Sequence, residues 1–366
     1  MKLCIIYNTA PRYREAIFKE IDKAYDCDWY FGRTKSDIKE MDTSQLKNVR
    51  YYRSIGNPQI VYWQGALLSV LFKKKYNNYL VLVEKRSISF YLFLLLKKLF
   101  FPKKRVYGWS HGWYGRESKL QKIIEKWKYR ILSDIFIYGN YSKKLMETEG
   151  FPAEKLHVIH NSLDYNIQLQ YRLQQKKIGI FKDHFNNSYP TLIFIGRLTH
   201  VKKLDMILKA LSLLKQKGEI YNLVLVGDGQ EKDRLNDITK KLDLQNNVWF
   251  YGASYDEKVN AELIYNADLC VSPGNIGLTV VHSLMFGTPA LTHNNFTMQM
   301  PEFEAIIPTK TGLFFKYDSL ESLAGSISYW FKLNKDREII RKNCFDEIDS
   351  SWTPKYQIEL IKKYIN

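Results

Sequence analysis

Cysteine and long apolar runs are scarce in this sequence. Its 366 residues include only four cysteines, Cys4, Cys27, Cys270 and Cys344, which form no Cys-x-x-Cys or Cys/His cluster. Neither a zinc site nor a disulfide framework is therefore indicated. No apolar run approaches the roughly 20 residues of a membrane span. The first residues, MKLCIIYN, contain too short an apolar run for a signal peptide. These features predict a cytoplasmic protein.

Acidic residues are scarce in the first half of the chain. Residues 1–180 contain 33 Lys and Arg against 16 Asp and Glu, whereas residues 181–366 contain 22 of each. The whole net charge of +17 therefore belongs to the first half. Residues 73–105 concentrate it, with ten basic residues and one acid, Glu84. Such a region attracts anionic lipid headgroups, nucleic acid or acidic substrates.

Residues 87–101, SISFYLFLLLKKLFF, allow two interpretations of this basic region. One is a buried helix that covers a sheet and has a solvated basic end. The other is an interfacial face, with Phe100, Phe101, Trp109 and Trp113 at the level of lipid headgroups and lysines on phosphates. The second makes an anionic membrane surface a partner of residues 73–105, with the protein peripheral on the inner face of the cell membrane. Nucleic acid is not expected, because no recognised binding module is present.

Short apolar runs alternate with helical stretches in both halves, which predicts parallel, doubly wound sheets. Strands are predicted at 3–7, 28–31, 49–52, 79–83, 105–109, 134–138 and 156–159, and then at 191–195, 222–226, 248–251, 268–271, 289–292 and 312–315. The expected fold class is α/β, with two Rossmann-like domains that face a central cleft. The predicted boundaries are a first domain at 1–170, a Gln-, Asn- and Lys-rich linker at 171–190, and a second domain at 191–350. A last helix at 352–366 is expected to cross back to the first domain.

The stretch 272–291, SPGNIGLTVVHSLMFGTPAL, is typical of a strand end, a glycine-bearing loop, a helix and a turn into the next strand. Free backbone N–H groups and the positive end of a helix dipole favour an anion such as a pyrophosphate at this place. The alternative interpretation is a tight strand-to-helix connection without a ligand.

Three further motifs in the second half follow predicted strands. They are GRLTHVKK with Gly196, Arg197 and Lys202, then Gly227-Asp228-Gly229, and then Tyr251-Gly252-Ala253. Ligands of doubly wound domains bind at the carboxyl ends of the strands. A guanidinium and an ammonium there suit a diphosphate, and the backbone at 251–253 suits the edge of a base.

The order of these motifs carries a resemblance to a known family. GRL-x3-K, VGDG, WFYG, NADLCVSP, G-L-x3-H-x4-G-T-P and a later E-x7-G resemble the donor-binding half of retaining glycosyltransferases of the GT-B fold, family 4 type. SHG at 110–112 and KLHVIHNSLD at 155–164 are similar to the family's acceptor-domain histidine and interdomain signature. The resemblance covers essentially the whole chain and is strongest from 191 to 315. It implies that the domain at 1–170 binds the acceptor and that the domain at 191–350 binds the nucleotide-sugar.

The resemblance implies roles for individual residues. Arg197 and Lys202 would neutralise the leaving nucleotide diphosphate, and His111 would lie near the donor sugar and its acceptor. An alternative for His111 is a histidine satisfied within a loop. The implied donor-binding set is Gly196, Tyr251, Gly252, Ala253, Gly274, Asn275, Ile276, Gly277, Leu278, Thr279, His282 and Glu304.

The sequence departs from the family at two positions. The family's usual pair of glutamates, with seven residues between them, falls on Gly274 and His282. A neutral imidazole offers one acceptor or one donor, whereas a carboxylate accepts from both ribose hydroxyls. Glu302 and Glu304 are candidates to replace the missing acids. We interpret the departure as an altered donor contact, with an inactive copy of the family as the alternative.

The expected protein is therefore a retaining glycosyltransferase that moves a sugar from a nucleotide-sugar to a glycan or lipid-linked acceptor, in surface polysaccharide or lipopolysaccharide assembly. No cofactor and no metal are expected, because Arg197, Lys202 and helix amides can stabilise the leaving charge. We interpret Asp26-Cys27-Asp28, which resembles a metal-binding motif of another fold, as chance. The alternatives are a GT-B nucleotide-sugar epimerase and a non-catalytic, membrane-associated nucleotide-sugar-binding protein.

Overall fold

The computed structural model describes residues 2–33 and 39–365. They divide into two compact units, one of Met1–Asp164 with Thr353–Asn366 and one of Tyr165–Trp352. Each unit is built around a sheet whose strands are joined by helices, as the alternating apolar pattern predicts.

The first unit contains an eight-stranded sheet in the order β4-β3-β2-β1-β5-β6-β7-β8, in which β3 and β4 pair antiparallel and the other neighbouring strands pair parallel across the described residues. Its strands are β1 Lys2–Tyr7, β2 Asp26–Arg33, β3 Val49–Asn57, β4 Val61–Gln64, β5 Asn78–Leu82, β6 Arg105–Ser110, β7 Ile135–Ile137 and β8 Leu156–Val158. Its helices up to residue 148 are α1 Glu15–Ala24, α2 Ala66–Leu71, α3 Ile88–Phe100, α4 Lys119–Ile131 and α5 Asn140–Thr148. The central strands are apolar on both faces because helices cover both sides of the sheet.

Local signals set the starts of the two longest helices among these. The Ser87 hydroxyl accepts a hydrogen bond from the amide of Phe90 at the start of α3. Ser118 and Gln121 form a capping box at the start of α4. Both devices satisfy N–H groups that a first helical turn leaves unpaired.

The second unit contains a six-stranded parallel sheet in the order β11-β10-β9-β12-β13-β14. Its strands are β9 Thr191–Ile195, β10 Asn222–Val226, β11 Val248–Gly252, β12 Leu269–Ser272, β13 Ala290–His293 and β14 Gly312–Phe315. Its helices are α6 Tyr165–Gln174, α7 Ile180–Phe185, α8 Asp205–Gln216, α9 Lys232–Lys241, α10 Glu257–Asn266, α11 Leu278–Met285, α12 Leu320–Lys332 and α13 Arg337–Ser351. This strand order, 3-2-1-4-5-6 within the unit, is that of the dinucleotide-binding Rossmann fold.

The segment expected to be a linker, 171–190, belongs to the second unit in the structure. It contains the end of α6 and the whole of α7, so it holds more helix than its composition indicates. The Arg172 guanidinium donates to both carboxylate oxygens of Asp349 on α13, at 2.9 and 2.8 Å. The amide of Ile178 donates to Asn266 Oδ1 at 2.8 Å. These polar contacts and the buried side chain of Phe181 hold the segment.

The last helix, α14 Pro354–Tyr364, packs within the first unit. Ile358, Ile361 and Ile365 join the apolar cluster that contains Ile21 of α1. The buried side chain of Gln357 accepts from Ser162 Oγ at 2.6 Å and donates to the carbonyl of His160 at 2.8 Å. Helix α14 therefore shares one apolar core with β1 and α1.

Helix α3 has one buried and one exposed side. Phe90, Phe93 and Leu94 are buried, whereas Leu99 and Phe100 are exposed. Trp109 and Trp113, which the interfacial interpretation places at headgroup level, are both buried, so that part of the interpretation is wrong. Trp109 lies on the central strand β6, whose two faces are covered. Among residues 2–33 and 39–365, no helix has both the length and the apolar character that crossing a bilayer requires.

We expect Ile361→Ala to lower the free energy of unfolding of the first unit by about 2 to 5 kcal/mol, because it leaves a cavity in a fully buried position. Urea denaturation followed by tryptophan fluorescence measures this change. The matched control is Lys362→Ala, which alters the exposed side of the same helix. Equal stability of the two variants would contradict the packing of α14 against α1.

Candidate functional site

The candidate site of the second unit lies at the carboxyl ends of β9 and β12. These neighbours mark the point where the strand order reverses, since β10 lies on the other side of β9. Crevices at such a switch point are where open α/β sheets bind ligands. Gly196 and Arg197 follow β9, and Gly274 to Thr279 follow β12. The fold therefore brings together two of the segments that the sequence singled out.

The loops after β9 and β10 approach each other through their backbones. The amide of Leu198 donates to the carbonyl of Asp228 at 2.9 Å. A Cβ at Gly227 would stand 1.9 Å from the Gly196 carbonyl oxygen, and one at Gly229 would stand 2.4 Å from that of Leu198. The Gly-Asp-Gly turn is thus required for packing, and it supports the loop that carries Arg197.

Lys202 links the loops after β9 and β12. Its Nζ donates to the backbone carbonyl of Asn275 at 2.6 Å and to Asn275 Oδ1 at 3.0 Å. Burial lowers the pKa of Lys202 to about 8, with Glu302 raising it and Arg197 lowering it further. The ammonium is therefore charged at neutral pH but poorly hydrated, and an anion beside it would be strongly favoured. Arg197 itself is exposed.

Gly274 occupies a position that admits no side chain. Its amide donates to the carbonyl of Lys202 at 2.9 Å. A Cβ at this position would stand 1.9 Å from the carbonyl oxygen of Val201 and 2.8 Å from Cα of Lys202. The first missing glutamate is therefore absent for a steric reason, since the loop after β9 fills the space that its side chain would need.

Helix α11 begins at the same place. Gly277 precedes it with φ 54° and ψ −148°, a conformation that favours glycine. In the described part of the chain, the amides of Leu278 and Thr279 have no hydrogen-bond acceptor, so they remain available to an anion. The amide of Ile276 instead donates to the buried Gln299 at 3.0 Å, and Thr279 Oγ1 donates to the carbonyl of Ile195 at 3.1 Å. Ile276 and the Thr279 hydroxyl thus position the helix.

The segment 251–253 lies at the end of β11, two strands from the switch point. The Gly252 carbonyl accepts from the amide of Gly227 at 2.8 Å. The space around a Cβ at Gly252 is open, and Ala253 is exposed. An accessible backbone edge therefore exists where the resemblance implies the base.

His282 of α11 contacts a carboxylate that lies outside the set of residues predicted from the sequence. Its Nε2 lies 2.9 Å from Glu257 Oε1, and the same oxygen accepts from Gln168 Nε2 at 2.7 Å. Burial raises the pKa of Glu257, but His282 and Gln168 together hold that pKa below its usual range. The only sequence signal was the place of Glu257, four residues after Ala253 and directly after the helix cap Asp256.

The two candidate replacement acids lie in the short helix Pro301–Ala305. Glu302 is buried, and its charge raises the pKa of Lys202. Glu304 is half-buried. The structure therefore relates the charge of Glu302 to Lys202 of the site.

His111 lies in the first unit, directly after β6, and lines a cavity of about 680 Å³. Burial lowers its pKa to about 4, and the charges of Arg14 and Lys85 lower it further. Its ring lies 5.0 Å from that of Tyr138, whose hydroxyl accepts from Arg14. The imidazole is therefore neutral at physiological pH and can act as a hydrogen-bond donor or acceptor.

The carboxylate motif Asp26-Cys27-Asp28 is part of β2. Asp28 is buried and pairs with Lys2, Arg50 and Lys75 at 3.3, 3.1 and 2.6 Å. Those contacts make it a structural ion-pair centre. Within the described ranges, no three His, Cys, Asp or Glu side chains are grouped so that they could hold a metal ion.

The fold and the basic switch point define a Rossmann-like unit suited to a nucleotide diphosphate. Residues 175–346, just under half of the chain, match the family model described as Glycosyl transferases group 1. The structure is similar to that of HepE from Anabaena in complex with UDP, with a TM-score of 0.73, 15% identity and 99% of each chain covered. The likeness confirms the predicted α/β GT-B fold with two Rossmann-like units.

Two curated relatives are glycosyltransferases. An uncharacterized glycosyltransferase of Methanocaldococcus jannaschii is 30% identical over 142 residues, 38% of this chain and 34% of its own. The O-antigen biosynthesis glycosyltransferase WbnH of Escherichia coli is 27% identical over 190 residues, 49% of this chain and 48% of its own. The chain thus spans less than half the length of either relative. Together with the family match, these relatives support the assignment of this chain as a group 1 glycosyltransferase.

We expect Gly274→Ala to lower the thermal midpoint of the second unit and to weaken nucleotide diphosphate binding, because the new methyl group displaces the Val201–Lys202 backbone. Gly274→Glu, which restores an acid to the motif, should be at least as damaging. The matched control is Gly325→Ala in α12, where a Cβ meets no atom within 4 Å and helix propensity favours alanine by about 0.5 to 1 kcal/mol. Calorimetry and UDP titration measure both effects. Unchanged UDP affinity in Gly274→Ala would refute the steric explanation.

Proposed function

We propose that this protein is a retaining, metal-independent glycosyltransferase that moves a sugar from a nucleotide-sugar to a glycan or lipid-linked acceptor. The observation that carries the proposal is the group of anion-binding elements at the β9–β12 switch point. It consists of the half-buried Lys202 ammonium, the Arg197 guanidinium and the amides of Leu278 and Thr279, which have no acceptor among the described residues.

Departure of a nucleoside diphosphate from an anomeric carbon is the hard step of such a transfer. Negative charge grows on the leaving phosphate oxygens while the sugar becomes oxocarbenium-like. Positive groups fixed before the reaction stabilise that charge without reorganisation. Lys202 is held in place by Asn275, so it meets this requirement, and Arg197 adds a second cation. We assign no protein nucleophile, and the acceptor hydroxyl attacks from the side of the leaving group.

Glu257 and His282 are proposed to replace the ribose contact of the missing glutamate. The imidazole and Gln168 hold the carboxylate in one orientation beside α11, and the Glu257 side chain keeps 27% of its surface exposed. A carboxylate then remains near this position of the helix, although it comes from α10. Gly274 supplies only backbone, and its neighbour Asn275 would meet the sugar or phosphate.

The similar proteins indicate which substrates to test first. HepE is described in complex with UDP, so UDP-sugars are the first donors to test. The E. coli relative is named for O-antigen biosynthesis, which supports assembly of a surface polysaccharide as the setting. A GT-B epimerase or a non-catalytic binding protein would use the same nucleotide site without transfer. Turnover therefore separates the three functions.

With a panel of UDP-, GDP- and dTDP-sugars, we expect slow donor hydrolysis without an acceptor and faster nucleotide release with one. Arg197→Ala and Lys202→Met should each lower turnover at least 100-fold, because they remove charge that acts on the leaving group. Nucleotide release and circular dichroism are measured together, with Lys240→Ala on the exposed side of α9 as the control. Nucleotide binding without donor hydrolysis and without sugar transfer would contradict the enzyme function and support a non-catalytic binding protein.

An anionic membrane surface is proposed to bind one face of the first unit. Exposed apolar side chains of α3 and α4, Leu99, Phe100, Leu120 and Ile123, lie on the same two helices as Lys97, Lys98, Lys126 and Arg130. A groove of about 590 Å³ between the helices is lined by all four of these cations. Lys104 does not belong to this face, since its Nζ donates to the carbonyls of Leu71 and Lys73 at 2.7 and 3.0 Å.

We expect Lys98→Glu/Arg130→Glu to reduce binding to phosphatidylglycerol vesicles by roughly 30-fold or more, at about 1 kcal/mol for each basic residue near the surface. Co-sedimentation at low and high salt measures the change. The control is Lys240→Glu/Lys241→Glu on the exposed side of α9, which alters the net charge equally. Equal loss in both variants would mean that total charge, and not this face, attracts the vesicles.

A further inference from the structure

The loop between β12 and α11 is held by side chains from β13 and from the segment that follows it. Residues 274–277, which we call the anion loop, directly precede the amides of Leu278 and Thr279. Glycine occupies both ends of the anion loop, and Gly277 has φ 54°. Glycine leaves a backbone free to adopt several conformations. The direction of the two amides therefore depends on contacts from outside the anion loop.

Gln299 is a buried residue that uses both ends of its side-chain amide. It is 2% exposed and lies between β13 and the short helix Pro301–Ala305. Its Oε1 accepts from the amide of Ile276 at 3.0 Å. Its Nε2 donates to Thr292 Oγ1 at 2.8 Å and to the carbonyl of His293 at 3.1 Å. Both amide hydrogens and the amide oxygen of Gln299 are therefore in use.

Thr292 extends this contact to the start of the anion loop. Its side chain belongs to β13 and is fully buried. Its Oγ1 donates to the carbonyl of Ser272 at 2.8 Å and to that of Gly274 at 3.1 Å. The two carbonyls share the one hydroxyl hydrogen, while the hydroxyl oxygen accepts from Gln299. Gln299 and Thr292, which we call the buried network, thus connect both ends of the anion loop to β13.

The backbone of the anion loop is committed to contacts within the protein. The Gly274 amide donates to the carbonyl of Lys202 at 2.9 Å, and the Asn275 carbonyl accepts from Lys202 Nζ at 2.6 Å. Asn275 lies between Gly274 and Ile276, which are the two residues that the buried network holds. Loss of the buried network would therefore release both neighbours of the residue that positions the Lys202 ammonium.

An aromatic cluster holds the segment that carries Gln299. The rings of Phe296 and Phe303 stack with their centroids 4.4 Å apart. The centroid of Phe314, on β14, lies 5.2 and 6.3 Å from theirs, with its ring steeply inclined to both. Phe296 and Phe303 flank Gln299 in the chain, so their contact holds the two ends of its segment together. The segment 296–303 therefore presents the amide of Gln299 in a fixed direction.

We propose that Gln299 and Thr292 are positioning residues for the diphosphate of the donor. The buried network directs the amides of Leu278 and Thr279 and the ammonium of Lys202 toward the phosphates. Neither of its side chains touches the ligand, since both are buried beneath the anion loop. This inference rests on the proposed function, because it concerns the same donor site.

The proposed contacts of the base and the ribose lie on other elements. Residues 251–253 follow or end β11, and Glu257 belongs to α10. The hydrogen bonds of the buried network lead instead to β12, β13 and the anion loop. A defect in the buried network should therefore weaken the binding of ligands that carry phosphates and spare a nucleoside.

The test titrates the whole chain with UDP, inorganic pyrophosphate and uridine. We expect Thr292→Val, which has nearly the same shape but no hydroxyl, to weaken UDP and pyrophosphate binding by roughly tenfold or more, because buried polar groups lose their partners. Uridine binding should change less than about twofold, since the network does not reach its contacts. Thr292→Ser, which keeps the hydroxyl, should recover most of the lost affinity. Gln299→Met, which removes the amide at similar length, should act like Thr292→Val.

The matched control is Thr288→Val. The Thr288 hydroxyl is also fully buried and donates to backbone carbonyls, those of Ile264 and Ala267, just before β13 begins. It therefore loses the same chemistry at the opposite end of the same strand. This variant should lower the thermal midpoint of the second unit and leave the affinities for all three probes unchanged.

Two outcomes would overturn the inference alone. One is equal weakening of UDP and uridine binding in Thr292→Val, which a merely structural role would produce. The other is unchanged UDP affinity in Thr292→Val. The pair Thr292→Val and Thr292→Ser keeps the test valid if Gln299→Met unfolds. Wild-type protein that binds neither UDP nor pyrophosphate would instead contradict the proposed function, and the inference with it.

Discussion

The backbone contact between the loops after β9 and β12 is the constraint on which the candidate donor site depends. Gly274 and Lys202 share a hydrogen bond of 2.9 Å, and the Lys202 side chain returns to Asn275. This approach fills the space of a side chain at Gly274 and buries the ammonium, which lowers the pKa of Lys202 to about 8. It also holds Arg197 and the first amides of α11 on the same pair of adjacent strands. The contact between Gly274 and Lys202 thus explains both the absence of an acid at position 274 and the position of the Lys202 ammonium.

The second departure from the family has a different physical basis. His282 replaces a glutamate, yet a carboxylate stays close to it, because Glu257 comes from α10 and accepts from both His282 and Gln168. The glutamate of the motif is thereby replaced by a carboxylate from another helix, Glu257, which is held by His282 and Gln168. Gln168 lies on α6, in the segment just before the expected linker, so the structure gives that segment a part in the site. The altered motif is therefore integrated with its surroundings.

Much of the fold and part of the candidate site could be predicted from sequence. The strand predicted at 312–315 has the same limits in the structure, and that at 79–83 is shifted by one residue, because buried parallel strands form unbroken apolar runs. The antiparallel edge strand β4 and the short helix α2 were not predicted, since Val61–Gln64 is too short for a periodic signal. Trp109 was placed at a membrane surface but is buried, since aromatic content alone does not tell which side of an element faces the core.

The sequence by itself determined the two α/β layers, the glycine turns and the basic residues at the strand ends. These follow from local periodicity, from conformations that only glycine adopts readily, and from charge, all of which are properties of short segments. The tertiary structure alone decided that Gly274 admits no side chain, that Glu257 supports His282, and that Glu84 and Glu125 line one cavity. Each of these depends on residues that are 25 or more positions apart in the chain. Such long-range contacts are set by strand order and helix packing, and local sequence patterns do not encode them.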